Sequence, residues 1–349
     1  MPGPITIAVD ANGADLGPAE VARGAAEAAE RGLRVLLFAP KGEVGNHPEG
    51  VEVIDSPISI AKAADPARAV RSNPDASIVR AVQAVIDGRA DGVVSGGSTG
   101  AALAASLFGF KRARGVHRPA LAVVVPAPGA PFLLLDAGAN AEVRPEHLVQ
   151  FAHMGAAFME VVMGMPRPRV ALLSNGEEPG KGTKDVVAAH ALLAEHQGEG
   201  LNFVGNVEGF AVGAGAADVI VADGFAGNVT LKVMEGTMTA LMGAIRTAAT
   251  SSTRGKLGGL LLRPSLRELR DELDPQAVGG AVLLGLRHLT VVPHGSFSDR
   301  GFAAAIAVAA RGVQDDLLGR TNEHLAAAGA LRARPPEPSE AAATVPDQP

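Results

Sequence analysis

Cysteine, tryptophan and tyrosine are all missing from the 349 residues. Without thiols the chain forms no disulfide, no thiolate zinc site and no iron–sulfur cluster, and it has no cysteine nucleophile. Aromatic residues, all of them Phe, make up 3% of the chain. That is too sparse for base-stacking platforms or aromatic cation cages. Charged residues are also few, at 19%, and the net charge is −6. No global basic field exists, so a nucleic-acid partner is not expected. No apolar run reaches the roughly 18 residues of a membrane span. Met1 is followed by Pro-Gly-Pro instead of a charged and then apolar leader, so a cytoplasmic protein is expected. What the chain does have is 47% hydrophobic residues and 43 glycines, enough to build a packed core with tight turns.

Short apolar runs alternate with longer Ala-rich amphipathic stretches. Strands are expected at Ile5–Val9, Val35–Phe38, Val51–Ile54, Gly92–Ser95, Leu121–Val125, Phe132–Leu135, Val170–Leu173, Asn202–Val204, Val219–Ala222 and Leu289–Val292. Helices are expected at Pro18–Arg31, Ser77–Ile86, from near Gly100, and at Pro145–Val162, Thr183–Glu195, Val229–Ala249 and Asp299–Leu318. The strands are continuously apolar instead of alternating, as in a parallel sheet buried on both faces. The expected architecture is a single α/β/α body over residues 1–320, a three-layer fold with a mostly parallel central sheet. Residues 333–349 hold five prolines and read as a disordered tail.

Four polar, glycine-rich loops follow strands. They are Asp10-Ala-Asn12-Gly13-Ala-Asp15, Ser95-Gly-Gly-Ser98-Thr99-Gly100, Ser174 to Thr183 around Glu177, Glu178 and Lys181, and Asp223-Gly-Phe-Ala-Gly-Asn228. In a parallel sheet such loops gather at the carboxyl edge, where helix N-termini favour an anion. Together they point to a phosphate or oxyanion site. None is a stock nucleotide motif: no G-x-x-x-x-G-K-[ST] and no G-x-G-x-x-G with its downstream acid occurs. Gly96-Gly-Ser98-Thr-Gly100 fits the letters of a hydrolase elbow, but no triad order surrounds it. Read singly, Lys181 is a solvated loop lysine, Asn228 a helix N-cap and Asp10 a turn former. His147 and His294 read as structural, and Glu177–Glu178 lacks partners at metal-ligand spacing.

In this order the loops resemble the bacterial phosphate acyltransferase family, the acyl-ACP:phosphate acyltransferases. The likeness rests on Ile7 to Asp15, Ala90 to Ser95 with Thr99-Gly100, and Leu133 to Asn140. It continues through Arg144 to Gly155, Gly176 to Glu178 with Lys181-Gly182, and Leu201 to Gly209 around Asn206. Asp223 to Asn228, Leu273 to Pro275 with Gly279-Gly280, and His294 to Ser296 complete it. The sequence differs from the family pattern at Asn12, at Ser98, across Ser72–Pro74, where two lysines are replaced, and at Val278, where a Tyr is common.

The resemblance implies transfer of a fatty acyl group from acyl carrier protein to inorganic phosphate, giving acyl phosphate for phospholipid synthesis. It implies no metal and no cofactor. Lys181 would bind phosphate and stabilise charge, and Asn228 would orient phosphate or donate to the oxyanion. Asp10, Gly13, Ser98, Thr99, Gly100, Asn140, Glu178, Asn206, Asp223 and His294 would form the surrounding substrate site. Backbone N–H groups at the starts of the helices after Gly100 and Asn228 would add donors. The resemblance also implies a homodimer, a fold related to phosphotransacetylases and isocitrate/isopropylmalate dehydrogenases, and hand-over to a membrane glycerol-3-phosphate acyltransferase. Three alternatives stay open at this level: an acyl-CoA-dependent phosphotransacetylase, a silent carrier-binding module, and a dehydrogenase.

One surface feature fits a peripheral membrane contact. No acidic residue lies between Glu235 and Glu268, while Arg246, Arg254, Lys256, Arg263 and Arg267 interleave with Leu257, Leu260, Leu261, Leu262 and Leu266. A helical hairpin near 245–273, broken at Pro264 and with a Leu-rich tip, would meet anionic lipid through 254–267. A dimer-interface or core hairpin is the plainer reading of the same pattern.

Overall fold

The structure is a computed structural model that describes residues 3–195 and 200–332. The segment 333–349, expected to be disordered, lies outside the described residues.

The strands are β1 (Thr6–Asp10), β2 (Arg34–Ala39), β3 (Val51–Asp55), β4 (Gly92–Ser95), β5 (Ala120–Val125), β6 (Phe132–Leu135), β7 (Arg169–Ser174), β8 (Asn202–Glu208), β9 (Val219–Val221), β10 (Ala281–Leu284) and β11 (Leu289–Val292). They form one sheet in the order β3-β2-β1-β4-β11-β10-β5-β6-β9-β7-β8. The strands from β3 to β11 pair in parallel. Then β10 pairs antiparallel with both β11 and β5, and β5 pairs antiparallel with β6. From β6 to β8 the pairing is parallel again. The sheet is therefore mostly parallel, but its two parallel halves run in opposite directions.

The helices are α1 (Pro18–Glu30), α2 (Pro66–Ser72), α3 (Ser77–Ile86), α4 (Thr99–Gly109), α5 (Pro145–Val161), α6 (Lys184–Glu195), α7 (Gly224–Thr250), α8 (Thr253–Glu272), α9 (Asp299–Gln314) and α10 (Leu317–Ala327). Alternation along the strands builds the layers. Ile7 and Val9 of β1 face the cluster that includes α1, α5 and α9, whereas Ala8 faces the cluster with α3 and α4. Likewise Leu133 and Leu135 of β6 face the first layer, and Phe132 and Leu134 face the layer that takes Leu231 and Met234 of α7. Because both faces are covered, the strands between the edge strands β3 and β8 have no polar side, which is why the sequence shows no alternation there.

Three expectations change. The closing helix is two helices, because Asp316 takes a left-handed backbone (φ 49) and its Oδ1 accepts from Gly319 N at 3.2 Å, capping α10. Asp tolerates that conformation and caps well. A short helix, α2, appears where none was expected, started by Asp65, whose Oδ1 accepts from Arg68 N at 3.0 Å. The strand β10 was also unexpected. It is a four-residue run between Gly279-Gly280 and Gly285, too short to announce itself by pattern.

Candidate active site

Because the halves of the sheet oppose each other, the polar loops do not form one row at one carboxyl edge. They form two groups, each at the strand ends of its own half. Among the described residues no hydrogen bond joins the groups. A twist of about 20–25° per strand pair rotates one half strongly against the other, so opposed direction alone does not set the groups on opposite sides of the molecule.

The first group follows β1, β4 and β11. Asp10 is buried, accepting from Ser95 Oγ at 2.8 Å and from Asn12 N at 3.2 Å. Burial pushes its carboxyl up to about 6, against the pull of hydrogen bonds from Ser77, Ser95 and Asn12. Asn12 Nδ2 donates to Ser56 O at 2.9 Å, and Ser59 Oγ donates to Asn12 O at 2.6 Å. Gly13 has φ 144, and a Cβ there would lie 2.5 Å from Ala61 Cβ, so this turn admits only glycine. Ser98 caps α4 by accepting from Ala101 N at 3.3 Å. Thr99 and Gly100 are exposed at the start of that helix. Exposed His294 uses Nδ1 to pair with Ser296 Oγ at 2.8 Å, and the next residue, Gly295, accepts from Asp15 N at 2.9 Å. Asp10 is thus a buried organiser of the loop, more than a turn former.

The second group follows β6, β9, β7 and β8, and Asp136, missed by the sequence reading, organises it. Fully buried, Asp136 accepts through Oδ1 from Leu121 N (3.0 Å), Gly138 N (3.0 Å) and Ala139 N (2.8 Å). Through Oδ2 it accepts from Asn140 N (2.7 Å) and Asn140 Nδ2 (2.8 Å). Burial raises its pKa, and these donors pull it back. Asn140 Nδ2 also donates to Pro119 O at 2.7 Å, and Asn140 O accepts from Gly224 N at 2.7 Å. Asn140 therefore spends its amide hydrogens within the protein and ties α7 to the loop.

The first turn of α7 follows from this. Asp223, not Asn228, is its N-cap: Oδ1 accepts from Phe225 N at 2.9 Å and Ala226 N at 2.7 Å. Gly227 N donates to Asp223 O at 2.9 Å. The helix starts at Gly224, five residues before the expected Val229, so Asn228 lies inside it and cannot cap it. Its leading N–H groups are all engaged, so they are not open to a ligand as the sequence had implied. Gly227 lies so close to Asp136 O that a Cβ would come within 2.0 Å. Asn228 itself is exposed inside α7, beside Gly138, whose added Cβ would lie 3.7 Å from the Asn228 side chain. Freed from capping, its amide has no hydrogen-bond partner among the described residues.

The loop after β7 carries Lys181. Its N donates to Glu178 O at 3.0 Å, and Asn206 Nδ2 donates to the same oxygen at 2.9 Å. Asn206 Oδ1 and Ser174 Oγ are buried and have no hydrogen-bond partner among the described residues. Lys181 is exposed, and among the described residues it has no ion pair. Thr183 Oγ1 accepts from Val186 N at 3.3 Å at the start of α6. As β7 and β9 are neighbours in parallel, Lys181 and Asn228 lie on segments that leave adjacent strands at one edge of the sheet. No group of His, Asp and Glu able to hold a metal occurs among the described residues.

Residues 5–320 match the family described as fatty acid synthesis protein. A phosphate acyltransferase from Heliobacterium modesticaldum is 43% identical over 328 residues, covering 91% of this chain and 97% of that protein. One from Desulfitobacterium hafniense is 41% identical over 330 residues, covering 91% and 97%. Among solved structures, a phosphotransacetylase from Streptococcus pyogenes aligns with a TM-score of 0.60 at 18% identity, covering 89% of this chain and 94% of that one. The EutD phosphotransacetylase from Staphylococcus aureus aligns at 0.57 and 17% over the same shares. At that identity the likeness speaks for the fold alone.

Proposed function

Since the chain belongs to the phosphate acyltransferase family of fatty acid synthesis proteins, we propose that it moves a fatty acyl group from acyl carrier protein to inorganic phosphate. The observation that carries the reading is the identity of more than two-fifths with a phosphate acyltransferase along almost its whole length. In the reaction a phosphate oxygen attacks the thioester carbonyl. The carbon–sulfur bond breaks, and the carrier thiol leaves with the proton that phosphate loses. Phosphate is itself the nucleophile, so the absence of cysteine costs the chemistry nothing.

The proposed site is the second loop group, with the whole α/β body acting as one catalytic unit. Lys181 supplies the cation for phosphate, next to the α6 N-terminus, whose dipole has the same sign. Asn228 directs its free amide at phosphate or at the carbonyl oxygen as negative charge develops there. Asp223 and Asn140 act by position: they fix the start of α7, and with it the place of Asn228. Glu178 and Asn206 hold the Lys181 loop. Asp10, Gly13, Ser98, Thr99, Gly100 and His294 form a second polar wall, suited to the remainder of the acyl donor. Comparing phosphate-dependent release of free carrier with release of free CoA from matched thioesters tests the donor; faster release from acyl-CoA would favour the phosphotransacetylase reading.

We further propose a homodimer and a peripheral membrane contact, both through α7 and α8. The hairpin turn lies at Ser251–Ser252, and Pro264 sits inside α8, so the break expected at Pro264 is replaced by this earlier turn. Along α7, Val229, Val233 and Leu241 are exposed, an apolar surface suited to a second copy. The leucines expected at the tip lie instead about two turns into α8, where Leu260 and Leu261 are 63% and 74% exposed on the helix that carries Arg254, Lys256 and Arg263, which suits leucines in the lipid interface and arginines on anionic headgroups. Among the described residues no helix is long and apolar enough to cross a membrane. An amphiphilic product is best released at a bilayer, where a membrane glycerol-3-phosphate acyltransferase would take it up.

A further inference from the structure

A cluster of cations stands beside the second loop group, and the reaction as described leaves it unused. The segment from Lys111 to Pro119 links α4 to β5. It presents Lys111, Arg112, Arg114 and Arg118 to solvent, with Arg144 and Arg332 exposed nearby. Two imidazoles mark how tightly the charges gather. His117 and His147 lie with ring centroids 5.5 Å apart. Burial holds both below the ordinary histidine range. Glu146 opposes this at each, while Arg332, Arg112 and Arg144 press on His117, and Arg118 and Arg144 on His147. Among the described residues none of these cations forms an ion pair. In a chain of net charge −6, such a concentration of unpaired positive charge is a local feature.

The segment is also firmly held. Buried Gln150 accepts from His117 N at 2.8 Å and donates to Gly115 O at 2.9 Å and to Ala330 O at 2.7 Å. Ala113 N donates to Gly285 O at 2.9 Å, Arg332 N to Gly115 O at 2.8 Å, and Arg287 Nε to Arg112 O at 3.1 Å. A surface ordered in advance binds with less entropy to lose. It is joined directly to the proposed site: Pro119 O accepts from Asn140 Nδ2 at 2.7 Å, one residue from Arg118.

We propose that this cationic surface, centred on Lys111, Arg112, Arg114 and Arg118, is the docking surface for the acidic face of the acyl carrier protein. The inference rests on the acyltransferase reading. A carrier protein delivers its thioester on a tethered arm, so it must dock next to the reaction site and not on it. A small acidic protein finds here complementary charge, rigid footing and a direct structural link to that site. Steering by such a patch acts mainly on encounter and so on KM. A membrane surface would also attract these cations, but the patch carries no exposed leucines of the kind that α8 presents.

The test uses the full-length protein with Lys111→Glu, Arg114→Glu and Arg332→Glu combined, none of which contacts the proposed site. Thermal denaturation checks the fold, and Arg114→Glu alone serves if the triple variant unfolds. The expected result is a KM for acyl carrier protein raised at least about tenfold, with kcat nearly unchanged. Activity on the same acyl group as a pantetheine thioester should stay at the wild-type level. Added salt should raise the wild-type KM and barely affect the variant. Direct titration with fluorescently labelled, unacylated carrier should show the same weakening, which reads docking even if the acyltransferase reading fails. An unchanged KM and unchanged carrier affinity would overturn the proposal. So would equal losses on both thioesters, or loss of anionic-vesicle binding with carrier binding intact.

Discussion

Two aspartates and an asparagine show how similar side chains divide between structure and chemistry. Asp223 caps α7 through Phe225 N and Ala226 N, so Asp223→Ala should lower stability by roughly 0.5–2 kcal/mol, read as a fall in Tm. Asn228 lies beyond that cap, so Asn228→Ala should leave Tm within error and still reduce kcat; a fall in Tm matching that of Asp223→Ala would return Asn228 to a structural role. Lys181→Ala should cut turnover at least about tenfold with the fold intact, as expected for a lone cation facing phosphate. Asp10 carries a folded-state pKa of about 6, above the unfolded value of 3.8. The folded state therefore holds its proton more tightly, and this carboxyl costs stability increasingly as pH rises from about 4 through about 6. Asp10→Asn can still accept from Asn12 N through its carbonyl and turn its amide toward Ser95 Oγ. Its Tm advantage over wild type should be small at pH 4 and grow to a plateau above pH 6. A constant difference across that range would show that Asp10 is not held protonated by burial.

At the scale of elements, close contacts set what can change. Gly24 of α1 faces α9, where an added Cβ would lie 2.5 Å from Asp299 O and 2.8 Å from Phe302 Cβ. Gly24→Ala should force these helices apart and cost roughly 1–3 kcal/mol, visible as a lower denaturant midpoint. The hairpin of α7 and α8 behaves differently, since Leu260 and Leu261 are exposed. Leu260→Glu with Leu261→Glu should keep the wild-type Tm while abolishing salt-sensitive binding to anionic vesicles; retained binding would leave the hairpin to dimerisation alone. Elements legible from sequence were those with a local cause. Ser77–Ile86, Gly92–Ser95, Phe132–Leu135 and Leu289–Val292 form as expected, because apolar period and flanking glycines mark them within a few residues. The break at Asp316 and the early start of α7 depend on which residue caps, Asp223 instead of Asn228 in α7, a choice that pattern alone leaves open.

For the whole molecule, the opposed halves of the sheet were beyond sequence reasoning, because they follow from three antiparallel pairings at its centre, β11–β10, β10–β5 and β5–β6, two of them made by β10, which no local pattern marks. Residue chemistry was visible in the loops, but their grouping was not. Nor was the part played by Asp136: four of its five donors lie in the loop that follows it, but Leu121 N reaches it only once β5 has paired with β6. In the proposed reaction, phosphate itself attacks the acyl thioester. The most direct test is to incubate the protein with palmitoyl-carrier protein and ¹⁸O-labelled phosphate and to identify the product by mass spectrometry. The expected product is palmitoyl phosphate that retains the phosphate label, including the bridging oxygen, formed together with an equal amount of free carrier thiol. Free fatty acid as the enzymatic product, or thiol release independent of phosphate, would contradict this reaction.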